Sequence, residues 1–296
     1  MKRTTLAIIL ALSLISCKKN VNEYDASGTF EAEETIISAE ATGIIRQLNI
    51  DEGMELVPGQ MIGYIDTTQL QLKREQLKQQ INAVLSKSPN KVLQLAALQE
   101  QLKQAIHEKE RVDNLAKEGA ATLKQLDDAQ AQVSVLQSQL SALKSSLNIT
   151  TTSIGAETSP LKIQIDQLND QINKSRIINP VKGTILTQYT RVNEMAVIGK
   201  PLYKIADLSS IILRAYITGD QLLSVKLDQQ VKVIVDDSKG AHKEYNGIID
   251  WISSKSEFTP KTIQTKDERA NLVYAIKVRV VNDGYLKIGM YGEVKF

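Results

Sequence analysis

The chain has 296 residues and a formal charge of +2, with 36 Lys and Arg against 34 Asp and Glu. So even a balance, without a basic cluster interleaved with aromatics, points away from nucleic acid as a partner. Its single cysteine excludes an intramolecular disulfide, and an aromatic content of 4% is thin for one compact globule but ordinary for a chain rich in coiled coil.

Met1-Lys2-Arg3 is a basic start, and Thr4 to Ile15 is an apolar run too short to span a bilayer. Residues 1–16 therefore read as a cleavable export signal. The run closes on Leu14-Ile15-Ser16-Cys17, which resembles the bacterial lipobox, where the cysteine is acylated and becomes the new N-terminus. Cys17 is thus the expected lipidation site, its acyl chains tying a soluble body to a membrane. Residues 17–35 read as a tether. No later stretch approaches ~18 consecutive apolar residues, so no other membrane span is expected.

Residues 36–66 and 178–207 repeat one another. GIIRQLNIDEGMELVPGQMIGYID, from Gly43 to Asp66, aligns without a gap on GTILTQYTRVNEMAVIGKPLYKIA, from Gly183 to Ala206. Ile45 meets Ile185, Val57 meets Val197 and Ile65 meets Ile205. Each copy alternates short β-prone runs with glycines. Gly43, Gly59, Gly183 and Gly199 read as structural turn residues that permit positive φ, with no chemical role.

Between the copies, residues 67–177 have the pattern of a helical hairpin. Leu126, Ala129, Val133, Leu136, Leu140, Leu143 and Leu147 step by three and four, the seam of a heptad repeat. Leu95, Leu98, Leu102, Ala105, Val112 and Ala116 form a facing seam, with Lys109 its one polar position. Two further segments flank them, Leu70/Leu77/Ile81/Val84 before and Leu161/Ile165/Leu168/Ile172 after. The tip falls at residues 117–122, where Gly119 suits a helix C-terminus and Thr122 an N-cap. Ser88-Pro89-Asn90 and the stretch from Thr150 to Pro160 read as breaks or kinks, because proline removes a helix hydrogen bond. Each arm, at about fifty residues, would be roughly 75 Å long. Such a rod buries only a narrow seam and serves as a spacer or contact surface, not an enzyme core.

Residues 208–296 are β-rich. Ile211–Ile217, Val231–Val235, Gly247–Ile252 and Ala275–Val281 read as strands, Gly219–Val225 as a short helical turn and Gly289–Phe296 as the last strand, together a small β-barrel. Chemistry is hard to find. His107 and His242 have no second ligand at metal spacing. Asp127-Asp128 and Asp236-Asp237 are neighbours that point apart and make no acid/base pair. The expectation is no catalytic residue, no metal, no cofactor and no enzymatic activity.

The repeat resembles the two halves of a lipoyl/biotinyl carrier domain, with the hairpin replacing the turn that carries the modified lysine. No Met-Lys-Met or Asp-Lys-Ala stands at the junction, so the prosthetic-group site is absent. Export signal, lipobox, split lipoyl-like domain and hairpin together resemble the HlyD-type periplasmic adaptors, or membrane fusion proteins, over nearly all of the mature chain. Ile178-Asn179-Pro180-Val181-Lys182-Gly183 and Gly199-Lys200-Pro201-Leu202 carry that likeness, as does Ile205-Ala206-Asp207-Leu208.

The resemblance implies an elongated multi-domain α+β fold. It also implies a link between an inner-membrane transporter and a TolC-like outer-membrane channel, in a ring of six copies. Glu257-Phe258-Thr259-Pro260-Lys261, Gln264–Arg269 and Leu272-Val273-Tyr274 look most like adaptors of ABC-type exporters, with an RND pump the alternative. Channel-docking adaptors carry an Arg, a Leu four residues on and a Ser seven further. Arg111, Leu115 and Thr122 stand at those spacings, Thr replacing Ser. The localisation implied is the periplasm, with the lipid held at the inner membrane. Two other readings are a carrier-type enzyme subunit, which would need an acceptor lysine, and a coiled-coil scaffold lipoprotein with no transporter.

Overall fold

The computed structural model describes residues 24–237, 241–258 and 272–296. The signal segment and Cys17 lie outside the described residues, as do 259–271 and with them most of the ABC-exporter-like stretch. Strand β1 (Ala26–Glu31) comes first, followed by β2 (Glu34–Ser38), β3 (Gly43–Leu48), β4 (Glu55–Leu56) and β5 (Met61–Ile65). After the helices come β6 (Arg176–Ile178), β7 (Gly183–Gln188), β8 (Met195–Ala196) and β9 (Pro201–Ala206).

Two four-stranded antiparallel sheets, ordered β2-β9-β7-β4 and β6-β5-β3-β8, form a sandwich. Adding 140 to the first residue of β3, β4 and β5 gives the first residue of β7, β8 and β9. The symmetry extends to single hydrogen bonds. Gly53 N donates to Ile185 O at 2.8 Å and Asn193 N to Ile45 O at 2.8 Å, while Gly59 N reaches Asn179 O and Gly199 N reaches Ala39 O. The copies also exchange strands: Leu56 of β4 pairs with Gly183 of β7, and Ala196 of β8 with Gly43 of β3. Neither half can complete its sheet alone. The core repeats as well, Ile45, Leu56, Ile62 and Ile65 matching Ile185, Ala196, Leu202 and Ile205, all buried.

The four repeat glycines divide into two kinds. Gly59 and Gly199 sit in turns at φ +80° and +86°, as the sequence suggested. Gly43 and Gly183 are not turn residues; they open β3 and β7, and a Cβ there would lie 2.8 Å from the Ile65 side chain and 2.5 Å from Ala206 O. Close approach of the opposed strand requires glycine at these two positions. The repeat breaks at its centre, where Gly63 in the first copy corresponds to Tyr203 in the second. Tyr203 is fully buried and its hydroxyl donates to Asn179 Oδ1 at 2.9 Å, with burial pushing its pKa up to about 12.

The excursion between β5 and β6 consists of α1 (Thr68–Leu85), α2 (Lys91–Lys117) and α3 (Leu123–Lys174). Leu77, Ile81 and Val84 of α1, Val112 of α2, and Val133, Leu136, Leu147 and Ile154 of α3 are buried, so the heptad positions do form the seams. The break at 86–90 is present, closed by Asn90, whose side chain accepts from Leu93 N at 3.2 Å. The expected second break is not. α3 runs 52 residues, ~78 Å at 1.5 Å per residue, straight through Pro160. A mid-helix proline costs about 3 kcal/mol, and the seam, buried before it and half-buried at Leu161, Ile165 and Leu168 after it, outweighs that local preference. Ile154 and Thr158 are buried, and Thr158 Oγ1 donates to Gly155 O at 3.1 Å.

The remainder is β10 (Ser210–Thr218), α4 (Gly219–Leu222), β11 (Gln230–Asp236), β12 (His242–Ile252), β13 (Glu257–Phe258), β14 (Leu272–Val281) and β15 (Tyr291–Lys295). The sheet runs β10-β1-β15-β11-β12-β14-β13, and pairing of β10 with β14 closes six of these strands into a barrel. Residues 26–31 are therefore a barrel strand and not the tether expected from the sequence. Ala26 and Phe30 are buried in the barrel core, and Gly28 admits the Arg214 carbonyl to 1.9 Å of where a Cβ would stand. Six residues of alternating burial, far in sequence from their neighbours, gave too short a signal to place β1 from sequence.

Candidate functional site

Two helix ends meet at the hairpin tip. α2 closes in a Schellman motif: Gly119, at φ +75°, donates to Ala116 O at 3.1 Å, and Ala120 N donates to Leu115 O at 2.8 Å. α3 opens on Thr122, whose hydroxyl accepts from Gln125 N while Gln125 Oε1 accepts from Thr122 N at 2.8 Å. This reciprocal capping box fixes the turn from the other side. Only Ala121 lies between the two motifs, so the tip is pinned by hydrogen bonds from both sides.

Arg111 stands two turns below the end of α2, exposed. Its guanidinium forks onto Glu108, Nε to Oε2 at 3.0 Å and Nη2 to Oε1 at 2.6 Å. The pairing lowers the Glu108 pKa and raises that of Arg111. Leu115 is half-buried at the edge of the seam. Thr122 is exposed but both sides of its hydroxyl are engaged in the cap. Leu123, exposed immediately after it, is an apolar tip residue that sequence analysis passed over. Glu108 was also missed, although a carboxylate three residues before an Arg on a helix is a readable signal.

At the base of the hairpin Asp66 performs the corresponding task. Its carboxylate accepts from Thr68 N at 2.8 Å and Thr68 Oγ1 at 2.6 Å, and from the Arg46 guanidinium at 2.7 Å. These bonds, those to Thr68 first, hold its pKa well below the usual carboxylate range. The rod thus leaves the sandwich at a fixed point. Arg74, a polar position in the α1 seam, donates to Asn169 Oδ1 on α3 at 3.1 Å, and Lys91 donates to Asn148 Oδ1 at 2.9 Å. These cross-helix bonds set the register of α1 and α2 on α3, and polar residues in a seam are a recognised way to do so.

Among the described residues, no three His, Cys, Asp or Glu side chains gather as a metal site, and no helix is long and apolar enough to cross a membrane. His107 lies 3.7 Å from its helix neighbour Glu110, and His242 3.3 Å from Asp236 across a strand pair.

No family model matches the chain. UPF0194 membrane proteins match part of it, one from Enterobacter sp. (strain 638) and another, YbhG, from Salmonella gallinarum, each 30% identical over 126 residues. Those matches cover 42% of this chain and 38% of the relatives' own length. The crystal structure of MacA from Actinobacillus actinomycetemcomitans superposes with a TM-score of 0.53 at 20% identity, over 91% of this chain and 76% of that one. The periplasmic adaptor protein EmrA gives 0.50 at 16% identity, over 92% and 97%. The chain has the fold of these HlyD-type adaptors.

Proposed function

We propose that this chain, a HlyD-type adaptor in fold, works as the periplasmic adaptor of a tripartite export assembly. In this reading Cys17 carries lipid at the inner membrane, the β-domains meet an inner-membrane transporter, and the hairpin reaches a TolC-like outer-membrane channel. An ABC-type exporter is the favoured transporter, with an RND pump second. Several copies, six by resemblance, ring the transport axis. The chain itself supplies no chemistry, and energy comes from the transporter.

The observation that carries this reading is the tip. A rod ~78 Å long, set on a platform by Asp66, ends in a turn held by a Schellman motif and a capping box. A surface that rigid loses little entropy on docking. Arg111 suits the contact because its exposed pair with Glu108 contributes little in water. Its planar fork can pass to a carboxylate or carbonyl of the channel at small cost. Leu115 and Leu123 supply apolar surface beside it, while Thr122 acts by shaping the turn.

The test is photo-crosslinking in cells, with a photoreactive residue at Arg111 and another at Trp251. The expected products join the tip to an outer-membrane channel and the barrel to an inner-membrane transporter. A tip that yields no channel adduct, in a protein that still folds and reaches the envelope, refutes the bridge and favours the scaffold lipoprotein.

A further inference from the structure

The barrel has two unlike ends. One faces the sandwich, because the chain passes between the domains from β1 into β2 and from β9 into β10. The strand registers define the other. Thr218 of β10 pairs with Val273 of β14, Leu272 with Phe258 of β13, Ile252 of β12 with Ile276, and Val294 of β15 with Ala26 of β1. This remote rim therefore gathers residues 24–26, α4 and the loop after it, 252–258 and 272–273.

Large apolar side chains stand out from that rim. Leu223 is 89% exposed, Phe258 81%, Leu227 59% and Leu272 53%. They are not poorly packed core, since Leu222, one residue before Leu223, packs against the barrel core. Their backbones come from three segments, which makes a studded rim rather than a groove. Trp251, with Lys277 Nζ 5.9 Å from its ring, lies just above. Exposed apolar clusters on a soluble body mark a contact surface, and a Trp above an apolar rim matches the side-chain order found at a membrane interface.

The path of the chain selects the occupant. Gln221 Nε2 donates to Asp25 O at 2.6 Å, pinning the beginning of the described chain to the same rim. Cys17 is seven residues before Tyr24 in sequence, a reach of at most ~25 Å. We infer that the remote rim of the barrel rests on the lipid bilayer, with Leu223, Phe258 and Leu272 entering the headgroup and upper acyl region. This rests on the reading of Cys17 as a lipid anchor. The anchor holds the rim against the surface, the apolar studs fix its orientation, and the hairpin is thereby aimed away from the membrane.

The experiment uses the full chain, produced in cells and reconstituted without any transporter into phosphatidylethanolamine–phosphatidylglycerol vesicles whose acyl chains are brominated. Trp251 is the chain's one tryptophan, so Trp251→Phe provides a silent background. In that background Leu223→Trp reads the rim and Val281→Trp the exposed opposite end. The expected result is flotation with the vesicles, a blue shift and bromine quenching for Leu223→Trp, and neither optical change for Val281→Trp. Phe258→Ser added to Leu223→Trp reduces that quenching. Flotation with Leu223→Trp unquenched overturns the inference and leaves the anchor standing. Quenching that requires co-reconstituted transporter assigns the rim to a protein face and also overturns it. Failure to float removes the anchor and the inference with it.

Discussion

The carboxylate of Asp283 shows how one side chain can set a local pH response. It accepts from Lys243 Nζ at 2.6 Å, Tyr245 Oη at 3.1 Å and Tyr285 N at 3.1 Å, and these bonds, Lys243 first, hold its pKa down to about 2. Lys243 also lies 5.1 and 4.8 Å from the Tyr245 and Tyr285 rings, and its pKa is raised, chiefly by Asp283. A depressed carboxylate contributes stability above its unfolded value of 3.8 and loses it as pH falls toward about 2. A raised lysine contributes below 10.5 and loses it only as pH rises through the higher value. The pair therefore contributes evenly across neutral pH. Asp283→Asn is expected to lower the melting temperature near neutrality and to flatten the wild-type loss between pH 3.8 and about 2. Parallel acid limbs in thermal melts of the two proteins would remove this pair from the account. Thr122 gives a second residue-scale case: Thr122→Ala opens the capping box and costs about 1 kcal/mol, whereas Thr122→Ser keeps it. Amide exchange of residues 123–125 measures the difference, with faster exchange expected in the alanine variant alone.

For the elements, legibility in sequence followed the range of the signal. The seams of α2 and α3 were readable because thirteen apolar positions repeat one local period, and the sandwich was readable because its pattern occurs twice. Pro160 misled because its penalty is local, while the packing that overrides it comes from α1, some eighty residues upstream. Arg74 and Asn169 escaped notice because each looks like a surface residue until the helices are set side by side. At the tip Gly119 and Thr122 announce their caps, and the fork between Arg111 and Glu108, an i,i+3 pair on one helix, was legible by its spacing although it was passed over. If α3 keeps its course against the proline's preference, Pro160→Ala restores a backbone donor and raises stability by up to about 3 kcal/mol. Chemical denaturation checks this, and an unchanged or lower midpoint would mean that the proline geometry is built into the packing.

The whole molecule is a platform interrupted by a rod and followed by a barrel. β5 and β6 flank the rod and pair directly, Tyr64 opposite Arg176. The hairpin thus leaves and re-enters through adjacent antiparallel strands, the geometry that a short turn would otherwise bridge. Replacing residues 67–174 with a two-residue Asn-Gly turn is expected to leave sandwich and barrel folded and to abolish crosslinking to the channel. The strand content by circular dichroism and the crosslinking yield read the two parts separately. Collapse of the β-structure would show that the rod is needed for folding as well as for reach.

The position of β1 has a consequence for the order of events during synthesis. Its neighbours are β10 and β15, whose first residues are Ser210 and Tyr291, so the first of the described strands waits for the last of them. Phe296 N then donates to Asp25 Oδ2 at 2.9 Å, joining the two extremities of the described chain. The sandwich has all its strands once residue 206 has emerged, and the helices need nothing beyond Lys174. The barrel alone is held open until β15 is available, with Phe30 left uncovered until then. Any chaperone attending this chain would find its longest-lived client surface on β1.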